Sequence, residues 1–232
     1  MRFANALLGT TLIGLSAVTY GSQASAQEEE VYLQNPLAAP SKAFELQLST
    51  GYTQGLGNIA PNTPIINVAG AGIGFTADVG YRATSHLSFG VEGQYQAFTA
   101  ENSSSAQGLD LNLGVTLHAM PESRGDPWLR LATGYRMLWQ ANPTGPFGIE
   151  LANTTNMYHG FDIVNARIGY DIRASNGVAF APMVGADLQS FVWENSTALS
   201  KAQFGTFLYA GLQGRFDAGG STATNVALAG AQ

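Results

Sequence analysis

Cysteine is absent from the 232 residues, so neither a disulfide nor a thiolate-bound metal can hold the chain together. Lysine occurs only at Lys42 and Lys201, and charged residues amount to 11 %, against roughly 25 % in a typical soluble domain. An excess of positive charge is also missing. Ten basic residues face sixteen acidic ones, for a formal net charge of −6 and a pI near 4.9. A phosphate backbone needs a basic surface, so nucleic acid is excluded as a partner. Long apolar runs are lacking too. No segment reaches the ~20 apolar residues of a membrane-spanning helix, which excludes a helical membrane bundle.

What the chain does have is glycine, at 28 positions, and an N-terminus with the marks of an export signal. Arg2 supplies a positive start, residues 6–18 are mostly apolar, and Ala24-Ser25-Ala26 is an A-x-A cleavage site. Residues 1–26 therefore read as a signal peptide cleaved after Ala26, with the mature chain starting at Gln27. Residues 27–43, with Glu28, Glu29, Glu30, Pro36 and Pro40, read as an acidic periplasmic arm.

From Phe44 the sequence takes a period of two. In residues 71–82, Ala71, Ile73, Phe75, Ala77, Val79 and Tyr81 alternate with Gly72, Gly74, Thr76, Asp78, Gly80 and Arg82. Successive side chains of a strand point to opposite faces, so the stretch predicts a strand. The pattern recurs in 44–54, 87–98, 108–118, 128–139, 162–173, 178–190 and 204–216. This gives eight strands of about the ~9–11 residues a tilted strand needs to cross a bilayer. Connections after the second, fourth and sixth strands are short (83–86, 119–126 and 174–177). The last contains Asn176-Gly177, a strong type I′ hairpin signal. The others are longer (56–70, 99–107, 140–161 and 191–202). Short turns on one side and long loops on the other predict an all-β, eight-stranded antiparallel up-and-down transmembrane barrel over 44–216, with periplasmic turns, extracellular loops and a flexible tail over 217–232.

The contents of the two faces decide between a membrane barrel and a soluble sandwich. The polar face carries Gly, Thr, Asn, Gln, carboxylates and Arg but almost no Lys, which suits a narrow hydrated interior. The other face is apolar on all eight strands, as lipid contact requires, and lipid cannot satisfy a free sheet edge, so the sheet must close. Trp128, Trp139 and Trp193 fall near strand ends, where interfacial girdles lie.

The segment Tyr209-Ala210-Gly211-Leu212-Gln213-Gly214-Arg215-Phe216 resembles the final-strand signal of bacterial outer-membrane barrels. Gly211 and Phe216 match it, and Gly214 stands where a hydrophobic residue is usual. With its strand count, the chain resembles the OmpA-type and OmpX-type eight-stranded barrels. The resemblance implies a Gram-negative outer membrane, contact with its lipid, and delivery through the barrel-assembly machinery by way of Gly211 and Phe216. The tail is too short to be the peptidoglycan-binding domain of the larger members.

An eight-stranded barrel is only wide enough for its own side chains, and buried charges must pair. Alternation therefore predicts a lumenal ion-pair network of Asp78, Glu92, Asp110, Arg130, Arg136, Arg167, Asp171, Arg173 and Asp187. Asp110 and Arg136 are expected as neighbours on adjacent strands, and Glu92 and Arg167 near mid-height. Glu45, Arg82 and Arg215 fall on the same face toward the periplasm. The network reads as a static plug, with a gated narrow channel for small solutes or hydrophobic compounds as the alternative.

Some barrels of the resembling family deacylate lipid A with a His-x-Ser pair and a nearby acid. His86-Leu87-Ser88 and Glu101 have that pattern. The topology sets His86 and Ser88 at a periplasmic turn rather than the outer leaflet, so no catalytic residue is assigned. His86, His118 and His159 lack paired-ligand spacing, so no metal or cofactor is assigned. The sequons at Asn102, Asn153 and Asn195 read as ordinary polar loop composition. Loops 56–70 (Ile59, Ile65, Ile66, Val68) and 140–161 (Phe147, Ile149, Leu151, Met157, Tyr158) are apolar enough either to hold an extracellular ligand or to pack on each other. The function expected is non-enzymatic: a structural or surface-interaction barrel.

Overall fold

The computed structural model describes residues 37–99, 105–141 and 154–221. Within them the alternating segments form strands β1 (Ala43–Ala60), β2 (Thr63–Pro64), β3 (Ala71–Thr84), β4 (Leu87–Phe98), β5 (Ser105–His118), β6 (Gly125–Ala141), β7 (Thr155–Ser175), β8 (Val178–Glu194) and β9 (Thr197–Ala218). One helical turn, α1 (Ile65–Val68), lies between β2 and β3. Each long strand pairs antiparallel with its neighbour in sequence, and β1 also pairs with β9, from Phe44 opposite Ala218 to Gly57 opposite Gly205. The sheet is thus a closed barrel of eight strands, with β2 a short outlier on β1. Closure leaves no transmembrane edge with free N–H and C=O groups. No helix among the described residues is long and apolar enough to cross a membrane.

The outer wall is apolar and bare. Val79, Leu111, Leu113 and Leu212 are each more than 60 % exposed, far beyond what a water-facing sheet tolerates as a continuous surface. The inner wall is polar and buried. The alternation breaks inside β7. A bulge on β7 between Asp162 and Val164 turns Ile163 and Val164 both outward and brings Asp162 inside with Asn165. An extra residue in one strand of a pair shifts the phase by one, which a strict period of two cannot show.

Several sequence expectations need correction. Trp128 is not part of an interfacial girdle. It points into the lumen, 4 % exposed, where Gly169 opposite leaves room for its ring. The connection at 191–202 is mostly ladder, because β8 and β9 pair up to Glu194 opposite Thr197. Their turn is Asn195-Ser196, with φ of 47° and 68°. Both residues are left-handed, as a type I′ hairpin requires. Asn176-Gly177 does join β7 to β8, but neither residue has positive φ. The segment 217–232 does not begin as a free tail. Asp217 and Ala218 belong to β9, and Ser221 bridges Ser41. Just before that bridge in sequence, the Ala39 amide donates to the Pro121 carbonyl. The expected signal peptide, residues 27–36 of the expected arm, Glu101, Asn102, Asn153 and 142–153 of the long loop lie outside the described residues.

The apolar core lies inside the barrel mouth on the long-loop side. Ile59, Ile65, Val68, Phe98, Leu138, Tyr158, Phe191 and Phe207 pack together there. The β1–β3 connection folds back into the barrel, and Ile65 sits over Gly55 and Gly205, where a Cβ on either glycine would meet it. Of the apolar residues in this loop, Ile59, Ile65 and Val68 are buried and Ile66 remains exposed.

Candidate functional site

Below this lid the lumen is filled by charged side chains in successive layers. In the upper layer Arg136 on β6 is the cross-strand partner of Asp110 on β5. Its Nη2 donates to Asp110 Oδ2 at 2.6 Å and to Asp187 Oδ2 at 2.9 Å. Its Nε donates to the other oxygen of Asp110 and lies 3.7 Å from Asp162 Oδ1. The guanidinium carbon stands 4.4 Å from the Phe207 ring centroid, a cation–π contact that joins the ionic layer to the lid.

In the middle layer Arg167 grips Glu92 with both ends of its fork, 2.8 Å at each oxygen, and reaches Gln94 Oε1 at 3.2 Å. Bidentate guanidinium–carboxylate pairs are the strong form of this interaction. Arg130 pairs with Asp78 and lies 3.5 Å from Glu92 Oε2. Arg130 starts lower on the wall than Glu92, so this side chain climbs to mid-height and ties the two acids together.

In the lower layer Arg215 Nη1 forms an ion pair with Asp171, 2.9 Å from its Oδ2, and donates to His118 Nε2 at 2.9 Å. Trp128 Nε1 donates to the other oxygen of Asp171 at 2.9 Å. His118 Nδ1 meets Asp126 Oδ2 at 2.7 Å, and Arg82 pairs with Glu45 at 2.6 Å. At the short-turn rim Arg173 pairs with Asp217 at 3.1 Å.

All nine residues of the proposed network face the lumen and are buried. Sequence reasoning passed over three partners. Strict alternation through the strand sets Asp162 in the lipid-facing register. A carboxylate in a lipid-facing register, followed by the apolar pair Ile163-Val164, is the signal that a bulge intervenes. Asp126 was placed in a turn, although β6 starts before it. Asp217 was placed in the tail.

His118, Asp126 and Asp171 place one ligand atom each within 4.8 Å of the others, the only such group of three His, Cys, Asp or Glu among the described residues. The ligand atoms are already engaged. Arg215 donates to His118 and forms an ion pair with Asp171, Trp128 donates to Asp171, and the Met120 amide donates to Asp126 at 2.9 Å. A guanidinium nitrogen lies between the imidazole and the carboxylate and supplies the positive charge a metal would bring, so these residues do not fit a metal centre.

His86 and Ser88 are not brought together. His86 is exposed in the turn, with Nδ1 3.0 Å from Ser85 Oγ, while Ser88 is buried in the lumen. His159 faces outward and meets the Tyr135 hydroxyl at 2.9 Å, within an aromatic group that includes Phe161 and Trp193.

No family model matches the chain, and no curated protein matches it. Among solved structures it is similar to Neisserial surface protein A, at 13 % identity over 73 % of this chain and 95 % of that one, with a TM-score of 0.48. It is similar to the outer membrane protein OprG from Pseudomonas aeruginosa, at 9 % identity over 78 % and 99 %, with a TM-score of 0.46. It is also similar to Ail, the attachment invasion locus protein of Yersinia pestis, at 14 % identity over 76 % and 99 %, with a TM-score of 0.40. The likeness is one of fold, and the closed ladder, the bare apolar wall and the polar filled lumen define that fold in this chain: an eight-stranded transmembrane β-barrel.

Proposed function

We propose that the protein is a non-conducting, non-enzymatic barrel of the bacterial outer membrane, whose role is structural or is carried by its extracellular surface. The observation that supports this most is the lumen. An apolar lid closes the mouth, and three ionic layers fill the space below it, each spanning several strands. A solute would have to break the Arg136, Arg167 and Arg215 clusters in turn. The outer wall supports the membrane location, since its apolar side chains have no other solvent in which continuous exposure is favourable. A lipid-modifying role is disfavoured because Ser88 is inside the barrel and His86 is bonded to Ser85 in the turn.

Purified full-length chain reconstituted into a planar lipid bilayer tests the reading. No stepwise current is expected under applied voltage, either for the natural chain or with the lid residue changed by Ile65→Ala, because the ionic layers remain. Stable unitary steps in the natural chain would overturn the plug and restore the channel reading.

A further inference from the structure

The upper ionic layer does not balance. Three carboxylates, those of Asp110, Asp162 and Asp187, surround one guanidinium, and all four side chains are at most 1 % exposed. Asp110 takes two hydrogen bonds from Arg136, so that pair is self-contained. Asp187 uses only Oδ2 toward Arg136, and its Oδ1 has no hydrogen-bond partner. Neither oxygen of Asp162 accepts a hydrogen bond. The layers below are better matched, with Arg130 and Arg167 against Asp78 and Glu92.

Two neutral residues stand beside these acids. The side-chain amides of Asn165 and Gln189 are fully buried, and neither their oxygen nor their nitrogen atoms have a hydrogen-bond partner. The strand register explains the grouping. Asp162 is the cross-strand partner of Gln189, and Asn165 of Asp187. The bulge between Asp162 and Val164 puts Asp162 and Asn165 on the same inner face, although they are three residues apart. Cross-strand partners on one face hold their Cβ atoms roughly 4.5–5.5 Å apart. Four oxygen-bearing side chains therefore form one compact patch of wall, beneath a lid that keeps bulk water away.

Buried polar atoms are ordinarily satisfied, and buried carboxylates require a counter-charge. Every candidate ligand atom here is an oxygen, from two carboxylates and two amide carbonyls. An all-oxygen set selects a hard cation over zinc or copper. The two acids not offset by Arg136 and its Asp110 partner call for a double positive charge. Ca²⁺ accepts carboxylates and amide carbonyls in flexible geometry, whereas Mg²⁺ demands a near-ideal octahedron and keeps several waters. We propose that Asp162, Asn165, Asp187 and Gln189 form a buried Ca²⁺ site in the lumen, with Arg136 bonded to the far oxygen of Asp187.

The test folds the full-length chain into zwitterionic detergent micelles in CaCl₂ or in EGTA. Both preparations are then passed into ion-free buffer, and calcium content and the heat-shift of the folded band are measured. The natural chain folded with Ca²⁺ is expected to retain about one ion per chain and to unfold at a higher temperature than the EGTA preparation. Asp162→Asn keeps the shape, removes the charge, and should lower Ca²⁺ affinity at least about tenfold. Asp217→Asn at the rim should leave the content unchanged. Should Asp162→Asn fail to fold, Gln189→Leu removes one neutral ligand and no charge, and it must also lower the retained calcium. Equal melting with no stoichiometric calcium in the natural chain would overturn the site. So would calcium retained equally by Gln189→Leu, or a chain stabilised by acid alone with no response to Ca²⁺.

Discussion

Leu111→Arg separates a lipid-facing wall from a water-facing one by energy alone. Leu111 is 61 % exposed on the outer face of β5. On a water-facing surface, substitution of so exposed a residue changes stability by about ±0.5 kcal/mol at most. Depth changes the result. At ~3.4 Å per residue and a tilt of about 40°, a strand climbs roughly 2.6 Å per residue along the barrel axis. The apolar belt of ~25 Å then takes in about ten residues. Leu111 lies at the midpoint of β5, which runs from Ser105 to His118. An arginine at the bilayer midplane costs about 2–4 kcal/mol and near the interface about 0–1 kcal/mol. Leu117 is on the same strand and face, 49 % exposed and one residue from the end, so Leu117→Arg is the matched control. Urea unfolding of the full chain in lipid vesicles, read by the heat-shifted band, should place Leu111→Arg below Leu117→Arg by about 1–4 kcal/mol, at least roughly fivefold in the unfolding equilibrium. Two variants within 0.5 kcal/mol of the natural chain would mean that the wall faces water. Inside and outside would then exchange roles for every residue named above.

Three further outcomes can be checked with the same unfolding assay. Arg167→Met should destabilise by about 3 kcal/mol, the low end for breaking a buried ion pair, because Arg130 Nε remains 3.5 Å from Glu92; the double change with Glu92→Leu should recover most of the loss, and a loss below 1 kcal/mol for the single variant would contradict the bidentate pair. Ser196→Gly should stabilise by about 1 kcal/mol by relieving a left-handed serine at φ 68°, and no shift in the urea midpoint would argue against the type I′ turn. Gly169→Leu would drive a side chain into the Trp128 ring, costing about 1–3 kcal/mol and changing tryptophan emission, whereas unchanged emission would place Trp128 outside the lumen.

Much of the barrel is legible in the sequence because a strand's two faces meet two different solvents. Ala71 to Arg82 is one such stretch, and no other period fits it. Closure is also legible, since lipid leaves an apolar sheet no stable edge. What alternation cannot convey is a change of phase. Asp162 is the example, because one inserted residue on β7 reverses the face of every position beyond it. Nor does alternation mark where strands end above the bilayer. Phe191 to Ala202 shows no clean alternation in sequence, yet it pairs because a two-residue turn at Asn195-Ser196 holds its halves together. Trp128 shows a third limit. Tryptophan suits both an interface and a lumen, and only Gly169 on the neighbouring strand, together with Asp171, decides for the lumen. Alternation lists the charged residues of the inner face and the adjacent-strand pair Asp110 and Arg136, but not the partners that meet across the barrel, as Arg167 and Glu92 do.

The pairing of β1 with β9 has a consequence for how the chain reaches its native state. Arg167 and Glu92 are 75 positions apart, and Tyr209 and Ser49 are 160. Contacts so distant in sequence form late, because the intervening chain must first give up its freedom. Until β9 meets β1, charged groups that pair across the barrel, such as Arg167 and Glu92, are held apart, and a half-formed sheet in hydrocarbon would present them to lipid. Insertion and closure must therefore proceed together. A kinetic probe on Tyr209 should register the same rate as one on the outer wall, and a delay between the two would reveal an open sheet living within the bilayer.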